Sequence, residues 1–202
     1  MSERDPAIAI FEFGSIGAGI VSGDAMVKAA PLGVIYAGTV HPGKYLVLVG
    51  GDTASVQEAV EVGTSVASEA LVDMVFLPDV HPSVAAAVTG NTRRAPVGEE
   101  ALGVIETTSV AAAIDAADAG VKAADVDLAA IRLADGLGGK GYILFSGVVG
   151  GVEAALEAAV ARADSHGALV RSDLIAQLHD EMAENMRADL HFLKRVSAAG
   201  DG

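Results

Sequence analysis

The sequence contains no cysteine and no tryptophan, and aromatic residues make up only 4% of the chain. Without cysteine, the chain forms no disulfide, no thiolate zinc site and no cysteine-held iron–sulfur cluster. Hydrophobic residues nevertheless make up 51% of the chain, and most of them are Ala, Val, Ile and Leu. Side chains this small suit thin, closely packed layers and extensive contacts with other subunits.

Basic residues are also scarce. The chain has 13 Lys and Arg against 27 Asp and Glu, and the resulting net charge of −14 is divided evenly between the two halves. No basic stripe is present to contact a phosphate backbone, so nucleic-acid binding is not expected. The N-terminal segment lacks a signal-peptide pattern, and charges interrupt each apolar run before it reaches membrane-spanning length. We expect a cytoplasmic protein with no membrane contact.

The sequence repeats itself. Residues 7–30 (AIAIFEFGSIGAGIVSGDAMVKAA) correspond to residues 101–124 (ALGVIETTSVAAAIDAADAGVKAA) after a shift of 94 positions. A repeat of this length indicates two copies of one small domain, each of a size that can enclose its own core. The polar residues that the copies share are Glu12 and Glu106, Ser15 and Ser109, Asp24 and Asp118, and Lys28 and Lys122.

Hydrophobic pattern and turn residues predict the same order of elements in both copies. The order is β-α-β-β-α-β, which is the split βαβ or ferredoxin-like arrangement of an α+β protein. In the first copy the predicted strands are 7–13, 32–40, 45–50 and 71–77, and the predicted helices are 16–30, 53–70 and 81–89. In the second copy the strands are 101–107, 126–134, 141–147 and 168–172, and the helices are 110–124 and 149–164.

We divide the chain into a first domain (1–90), a polar linker (91–100), a second domain (101–180) and a C-terminal helical tail (181–202). Apolar residues at helical spacing predict that one long amphipathic helix ends near Val196 and turns its apolar stripe to the core or to another subunit. The stripe consists of Leu174, Leu178, Met182, Met186, Leu190 and Leu193.

Motifs for catalysis or nucleotide binding are weak. Residues 38–44 (GTVHPGK) match the first seven positions of a phosphate-binding loop, but Tyr45 replaces the expected Ser or Thr and a strand follows instead of a helix. A ferredoxin-like sensor that binds a small ligand or nucleotide is the alternative function. Glu12 and Glu106 lie in apolar strands of both copies, which favours a structural role as hydrogen-bond acceptors over a general acid. We expect no enzyme.

Two segments resemble a known family. Residues 102–128 (LGVIETTSVAAAIDAADAGVKAADVDL) resemble the opening of a bacterial-microcompartment shell domain, with a strand ending in I-E-T and a helix carrying D-A-x-x-K-A-A. Residues 50–60 (GGDTASVQEAV) resemble the junction of the third strand and helix in the same family. Two such copies in unpermuted order are similar to the tandem-domain trimeric shell proteins, and the propanediol-utilisation type is the most similar subtype.

The resemblance implies a structural shell tile. Three chains would form a homotrimer, a pseudohexamer of six domains around a central pore, which packs beside other shell hexamers, trimers and pentamers around encapsulated enzymes. The residues implied to line the pore are Val40, His41, Pro42 and Gly43 in one copy and Gly136, Leu137, Gly138 and Gly139 in the other. The residues implied to contact neighbouring tiles are Lys28, Lys122, His81 and His179.

The chain departs from this family in two places. The propanediol type carries a pore cysteine that ligates an iron–sulfur cluster, and His41 stands at the matching position here. The edge motif P-R-P-H is replaced by PDVH (78–81) and AQLH (176–179), so both edge arginines are missing. No cofactor is expected. One hypothesis is that three His41 imidazoles bind a divalent metal; the alternative is a solvated polar ring that tunes pore selectivity.

Overall fold

The computed structural model describes residues 7–90 and 101–188. The first repeat folds into one antiparallel sheet in the order β2-β3-β1-β4, with helices in the connections. The elements are β1 (Ala7–Phe13), α1 (Ile16–Ala29), β2 (Val34–Val40), β3 (Lys44–Gly51), α2 (Thr53–Val66), β4 (Leu71–Leu77) and α3 (Pro82–Val88).

The second repeat builds a second sheet of the same topology, in the order β6-β7-β5-β8. Its elements are β5 (Ala101–Thr107), α4 (Val110–Ala123), β6 (Asp127–Leu133), β7 (Gly141–Gly147), α5 (Val149–Ser165), β8 (Leu169–Ile175) and α6 (Asp180–Ala188). The predicted α+β fold, with two ferredoxin-like units in unpermuted order, is confirmed. Among the described helices, none is both long and apolar enough to cross a membrane.

Two predicted elements were wrong in extent. The helix predicted at 53–70 ends at Val66, because Ala67 leaves helical geometry (φ −135°, ψ 34°) and a 3₁₀ turn spans Ser68–Ala70. The long tail helix does not include Leu174, which lies in β8 and pairs with Gly103 of β5. Backbone hydrogen bonding to β5 extends the strand through Ile175, so the helix begins only at Asp180. The linker 91–100 and the tail beyond 188 lie outside the described residues.

The last described helix, α6, has the position in the second domain that α3 has in the first. Both helices follow a histidine, and the imidazoles of His81 and His179 accept hydrogen bonds from backbone N–H groups of the first turns. Leu178 and Met186 pack with Leu102 of the second sheet, as the predicted stripe requires, whereas Met182 is exposed. The stripe therefore faces the core at some of its positions only.

The two domains share a core. Because successive strand residues face opposite sides of a sheet, β1 places Ala9 and Phe11 against α1 and α2, and Ile8 and Ile10 on the other face. The residues on that other face pack in one cluster with Ile114 and its neighbours on α4 of the second domain. The first helix of the second domain thus completes the core of the first domain.

Candidate functional site

The turns predicted to line a pore lie side by side. The β2–β3 turn and the β6–β7 turn meet where the backbone N–H of His41 donates to Asp135 Oδ1 at 3.1 Å, and His41 Nδ1 lies 3.4 Å from the same oxygen. Gly139 has φ +86°, and a Cβ there would lie 2.8 Å from Pro42 Cδ. Only glycine allows this conformation and this approach, so the glycine-rich turn is what permits the two turns to contact.

An open cleft of about 590 Å³ lies between these turns. It is lined by Thr39, Val40, His41 and Gly43 on one side and by Arg132, Leu133, Asp135 and Gly136 on the other. Leu137 borders a different cleft beside Glu106, and a side chain at Gly138 would meet open space. The predicted pore residues of the two copies are therefore neighbours, while the pore itself stays a prediction.

The donor set at this turn does not suit an iron–sulfur cluster held by thiolates, because the chain has no cysteine. Its chemistry does suit an imidazole ligand. Asp135 can hold the Nδ1 side of His41 and leave Nε2 available, the arrangement in which a carboxylate orients a metal-binding histidine. Within residues 7–90 and 101–188, no group of three or more His, Asp or Glu side chains is placed to hold a metal.

The phosphate-loop pattern at 38–44 does not form a phosphate site. Its lysine, Lys44, begins β3 and its ammonium is bonded to the carboxylate of Glu12. The turn joins two antiparallel strands, so no helix N-terminus faces it.

Glu12 links the two domains. Its side chain is fully buried; one oxygen accepts from Lys44 Nζ and the other accepts from the backbone N–H of Val110 at 2.8 Å. Val110 is the first residue of α4, and the side chain of Ser109 caps the same helix through the N–H of Ala112. A carboxylate at this end of a helix satisfies an unpaired N–H and interacts favourably with the helix dipole. Glu12 therefore has a structural role.

A charged network closes the domain interface next to Glu12. His166 lies between two carboxylates, with Nδ1 at 2.8 Å from Asp73 of the first domain and Nε2 at 3.0 Å from Asp115 of α4. Ser109 also donates to Asp73, and Arg162 donates to Asp115 through two nitrogens. Burial alone would lower the pKa of His166, but the hydrogen bonds and charges of both carboxylates hold that pKa above its ordinary value of 6.5.

Two of the predicted tile-edge residues, His81 of the first domain and Lys122 of the second, lie at this interface too. The backbone N–H of His81 donates to Asp118 at 2.7 Å, and Lys122 bonds both Asp118 and the carbonyl of Asp79. In the first copy, Lys28 pairs only with Asp24 of its own helix among the described residues, at 2.5 Å. A contact of Lys28, Lys122, His81 and His179 with neighbouring tiles stays a prediction.

The matching helix of the first domain has no such cover. Ile16 and Ile20 of α1 are 42% and 53% exposed, whereas their counterparts in α4, Val110 and Ile114, are fully buried. On the second domain, Glu106 pairs with Lys140 but remains 34% exposed, and it borders an open cleft of about 340 Å³. The surface of the first domain around Glu12 is thus covered by α4, whereas the equivalent surface of the second domain around Glu106 is exposed to solvent.

The interface residues Asp73, Asp115, Arg162 and His166 were not identified from the sequence. Asp115 offered a signal, because it interrupts an alanine-rich helix at a position where the first copy has Val21. An acid at a position that is apolar in the sister copy indicates a contact that only one copy makes. The partners of Asp115 come from other elements, so the sequence pattern does not identify them.

Comparison with known proteins gives matches along most of the chain. The family model described as BMC domain matches residues 7–80 and 101–178. The bacterial microcompartment shell protein PduT of Citrobacter freundii is 41% identical over 180 residues, which cover 89% of this chain and 97% of PduT. The shell protein EutM of Salmonella typhimurium is 39% identical over 85 residues, which cover 42% of this chain and 86% of EutM.

Solved structures match the fold over a similar length. A microcompartments protein from Desulfitobacterium hafniense DCB has a TM-score of 0.76 at 40% identity, with 88% of this chain and 98% of that chain covered. The double-ringed trimeric shell protein MSM0271 of the RMM microcompartment has a TM-score of 0.58 at 17% identity, with 79% of this chain and 83% of that chain covered, which is evidence of fold alone.

Proposed function

This chain belongs to the BMC domain family, as a tandem-domain shell protein, and from that premise we propose that it is a pore-bearing tile of a bacterial microcompartment shell, formed by three copies. The observation that carries the proposal is the interface between the two domains. There α4 of the second domain docks on β1 and β4 of the first domain and buries its apolar face. The first domain has an equivalent helix, α1, and the second domain has an equivalent surface around Glu106. Neither is covered by another part of the described chain.

The open surfaces carry the same polar groups as the filled interface. Glu106 corresponds to Glu12, so it is placed to accept from the N–H of Ile16 in the next copy, as Glu12 accepts from Val110. Asp24 corresponds to Asp118, and would accept from the backbone of His179 of that neighbour. Lys28 would likewise reach a backbone carbonyl beside that histidine, as Lys122 reaches Asp79.

A contact in which one surface docks on a different surface of the next copy either closes into a ring or extends as a filament. If the contact between chains repeats the contact within the chain, every domain is related to the next by the same rotation, and a rotation of about 60° closes the ring after six domains. A ring of six domains contains three chains. This reasoning supports a homotrimer with the pseudosymmetry of a hexamer.

The assembly is tested with Ile20→Asp and Glu106→Ala. Both are expected to shift the protein from trimer to monomer in light scattering after size exclusion, because each alters an open docking surface without touching the filled one. Val148→Asp is the control: Val148 is exposed, and its counterpart in the first copy is Asp52. A wild-type protein that is monomeric at every concentration would overturn the trimer.

Within such a ring, the turns at 40–44 and 134–140 would face the axis and form the pore. Support comes from the contact of His41 with Asp135, which brings the two turns together. The N–H groups of Gly43 and Gly139 donate within their own turns, to the carbonyls of Val40 and Ala134. Passing solutes would therefore meet the N–H groups of Gly136 and Gly138, which suits small polar or anionic metabolites. The proposed role in metabolite passage is measured as flux into reconstituted shells, and bulky substitution of Gly138 is expected to reduce it.

Three His41 side chains around the axis would offer imidazole Nε2 atoms to a divalent metal. Zn²⁺ or Ni²⁺ suits such a donor set. The expected result is metal-dependent stabilisation of the wild-type trimer against heat, absent in His41→Ala. Equal behaviour of the two proteins would leave the histidines as a polar ring that tunes solute selectivity.

We further propose that the tile has a structural role, without catalysis, in a shell that encloses enzymes and includes other tiles. The relatives that support this are named shell proteins. Electron microscopy of the concentrated protein is expected to reveal six-sided discs, and discs joined edge to edge as sheets or tubes. Isolated discs under all conditions would indicate that other shell proteins are required for tiling.

A further inference from the structure

The two docking surfaces of the chain differ in the sign of charge at one equivalent position. Asp73 is paired with Glu12 in the ladder of β1 and β4, and Arg171 is paired with Glu106 in the ladder of β5 and β8. Arg171 therefore occupies, on the second domain, the position that Asp73 occupies on the first. We call the surface around Asp73 the acidic edge and the surface around Arg171 the basic edge.

The helices that dock on these edges are accompanied by the opposite charge. Beside α4 stands His166, which contacts Asp73. Its counterpart beside α1 is Ser68. The two copies make an equivalent hydrogen bond here, from the N–H of Gly14 to the carbonyl of Ala70 and from the N–H of Thr108 to the carbonyl of Ala168. Ser68 and His166 each stand two residues before the acceptor. The residue after Ser68 is Glu69, which is exposed. The acidic edge thus receives a base, and the region that would reach the basic edge presents an acid.

We propose that this charge pattern selects which domain docks on which, with Arg171 of one copy pairing with Glu69 of the next copy. The proposal rests on the trimer proposed above and names the pair that enforces its alternating order. Arg171 is 71% exposed and is bonded to Asp173 of its own strand through Nε and Nη2. A guanidinium has five N–H donors, so Nη1 remains for a carboxylate from a neighbouring copy.

The same pattern disfavours wrong pairings. If α1 of another copy docked on the acidic edge, Glu69 would approach Asp73, and two carboxylates would meet. If α4 of another copy docked on the basic edge, His166 and Arg162 would approach Arg171. Like charges opposed across an interface weaken the wrong complex relative to the right one, which is how interfaces reject wrong partners. Domains of the same kind are therefore kept apart, and the two kinds alternate around the ring.

Charge reversal tests the proposal. Arg171→Glu and Glu69→Arg are each expected to raise the concentration at which the trimer dissociates by about tenfold. The double variant restores opposite charges in swapped positions and has the net charge of the wild type, so it is expected to assemble within about twofold of wild type. Glu58→Arg is the control, since Glu58 is exposed on α2 and lies about 12 Å from the C-terminal end of that helix.

Mixing gives a second measurement. Tagged wild type refolded with the untagged double variant is expected to form separate trimers in native mass spectrometry, because both mixed interfaces oppose like charges. Statistical mixing, or single variants that assemble as well as the wild type, would overturn the charge pattern while leaving the trimer in place. A wild type that never assembles would instead overturn the trimer. If a single variant fails to fold, the mixing experiment decides.

Discussion

Glu12 is a buried carboxylate with two partners from different parts of the fold, Lys44 and the first turn of α4. Removal of the side chain leaves the lysine without its counterion and one helix N–H unpaired. We expect Glu12→Ala to lower the free energy of unfolding by roughly 3–5 kcal/mol. Glu106→Ala is the matched control at the sister position, and in dilute monomer it is expected to cost about 1 kcal/mol or less. Urea denaturation measures both; equal losses would contradict this account.

The two domain cores divide their volume differently between equivalent positions. A Cβ at Gly63 would lie 2.1 Å from Met26, and a Cβ at Gly120, the counterpart of Met26, would lie 2.4 Å from the ring of Phe145. The first domain therefore combines Met26 with a glycine at position 63, and the second combines Phe145 with a glycine at position 120. Close-packed interiors tolerate such exchanges when the total volume is kept.

Gly120→Ala tests this packing. Alanine favours a helix over glycine by about 1 kcal/mol, but the fully buried ring of Phe145 has little room to move, so we expect a net loss of about 1–3 kcal/mol. Gly17→Ala in α1 is the control, because a Cβ there meets nothing within 4 Å. It is expected to stabilise the protein slightly. Thermal unfolding compares the two variants. A stabilised Gly120→Ala would show that the ring of Phe145 moves to make room for the methyl group.

At the scale of elements, α1 and α4 are one helix in two environments. Their shared Ser, Asp and Lys residues begin and end both helices in the same way. The second domain packs against one side of α4 and the first domain against the other, so that α4 is buried all round over much of its length, whereas Ile16 and Ile20 of α1 are exposed. Local sequence therefore determines that both helices form, and their neighbours determine how much of each is buried.

The interface between β4, α4 and α5 is expected to respond to pH through His166. Both ring nitrogens face carboxylates, and only the protonated imidazolium donates to both. Because the pKa of His166 in the folded protein lies above 6.5, its contribution to stability is full below about pH 6.5 and is lost as the pH rises through the folded-state pKa.

Urea denaturation between pH 6 and pH 9 measures this contribution. The difference in unfolding free energy between wild type and His166→Gln is expected to shrink as the pH rises. The groups that face the imidazole are Asp73, Asp115 and, through Asp115, Arg162. His41→Gln, at an exposed turn, is the control. A constant difference between wild type and His166→Gln would show that the neutral ring serves equally well.

At the scale of the whole molecule, the apolar residues exposed on α1 are the surface that the proposed trimer would cover. If three copies cover these surfaces, folding and assembly are linked, and stability depends on concentration. A tenfold dilution of wild type is expected to lower the thermal midpoint by about 3 °C. Ile20→Asp is expected to remove this dependence. A midpoint that does not change with dilution would show that the open helix face stays uncovered.

The sequence by itself determined the repeat, the order of the elements and the fold class, because these follow from local periodicity, turn residues and caps. Ser15 and Ser109 cap their helices through local hydrogen bonds. The family resemblance, which rests on contiguous motifs, was confirmed, and the predicted structural role of Glu12 agrees with its contacts. The family resemblance implied that the turn at His41 and the glycine-rich turn line one pore; the structure brings the two turns into contact, and the pore remains a prediction.

Only the tertiary structure decided which residues join the domains. Asp73, Asp115 and His166 are separated by tens of residues along the chain and meet because β4, α4 and the end of α5 converge at one edge. The length of the last helix was also a tertiary outcome, since pairing of β8 with β5 retains Leu174 in a strand despite its helical spacing. Contacts between elements distant in sequence leave no periodic signal, so the partners of Asp115, and with them the residues that fill one interface, appear only in the folded chain.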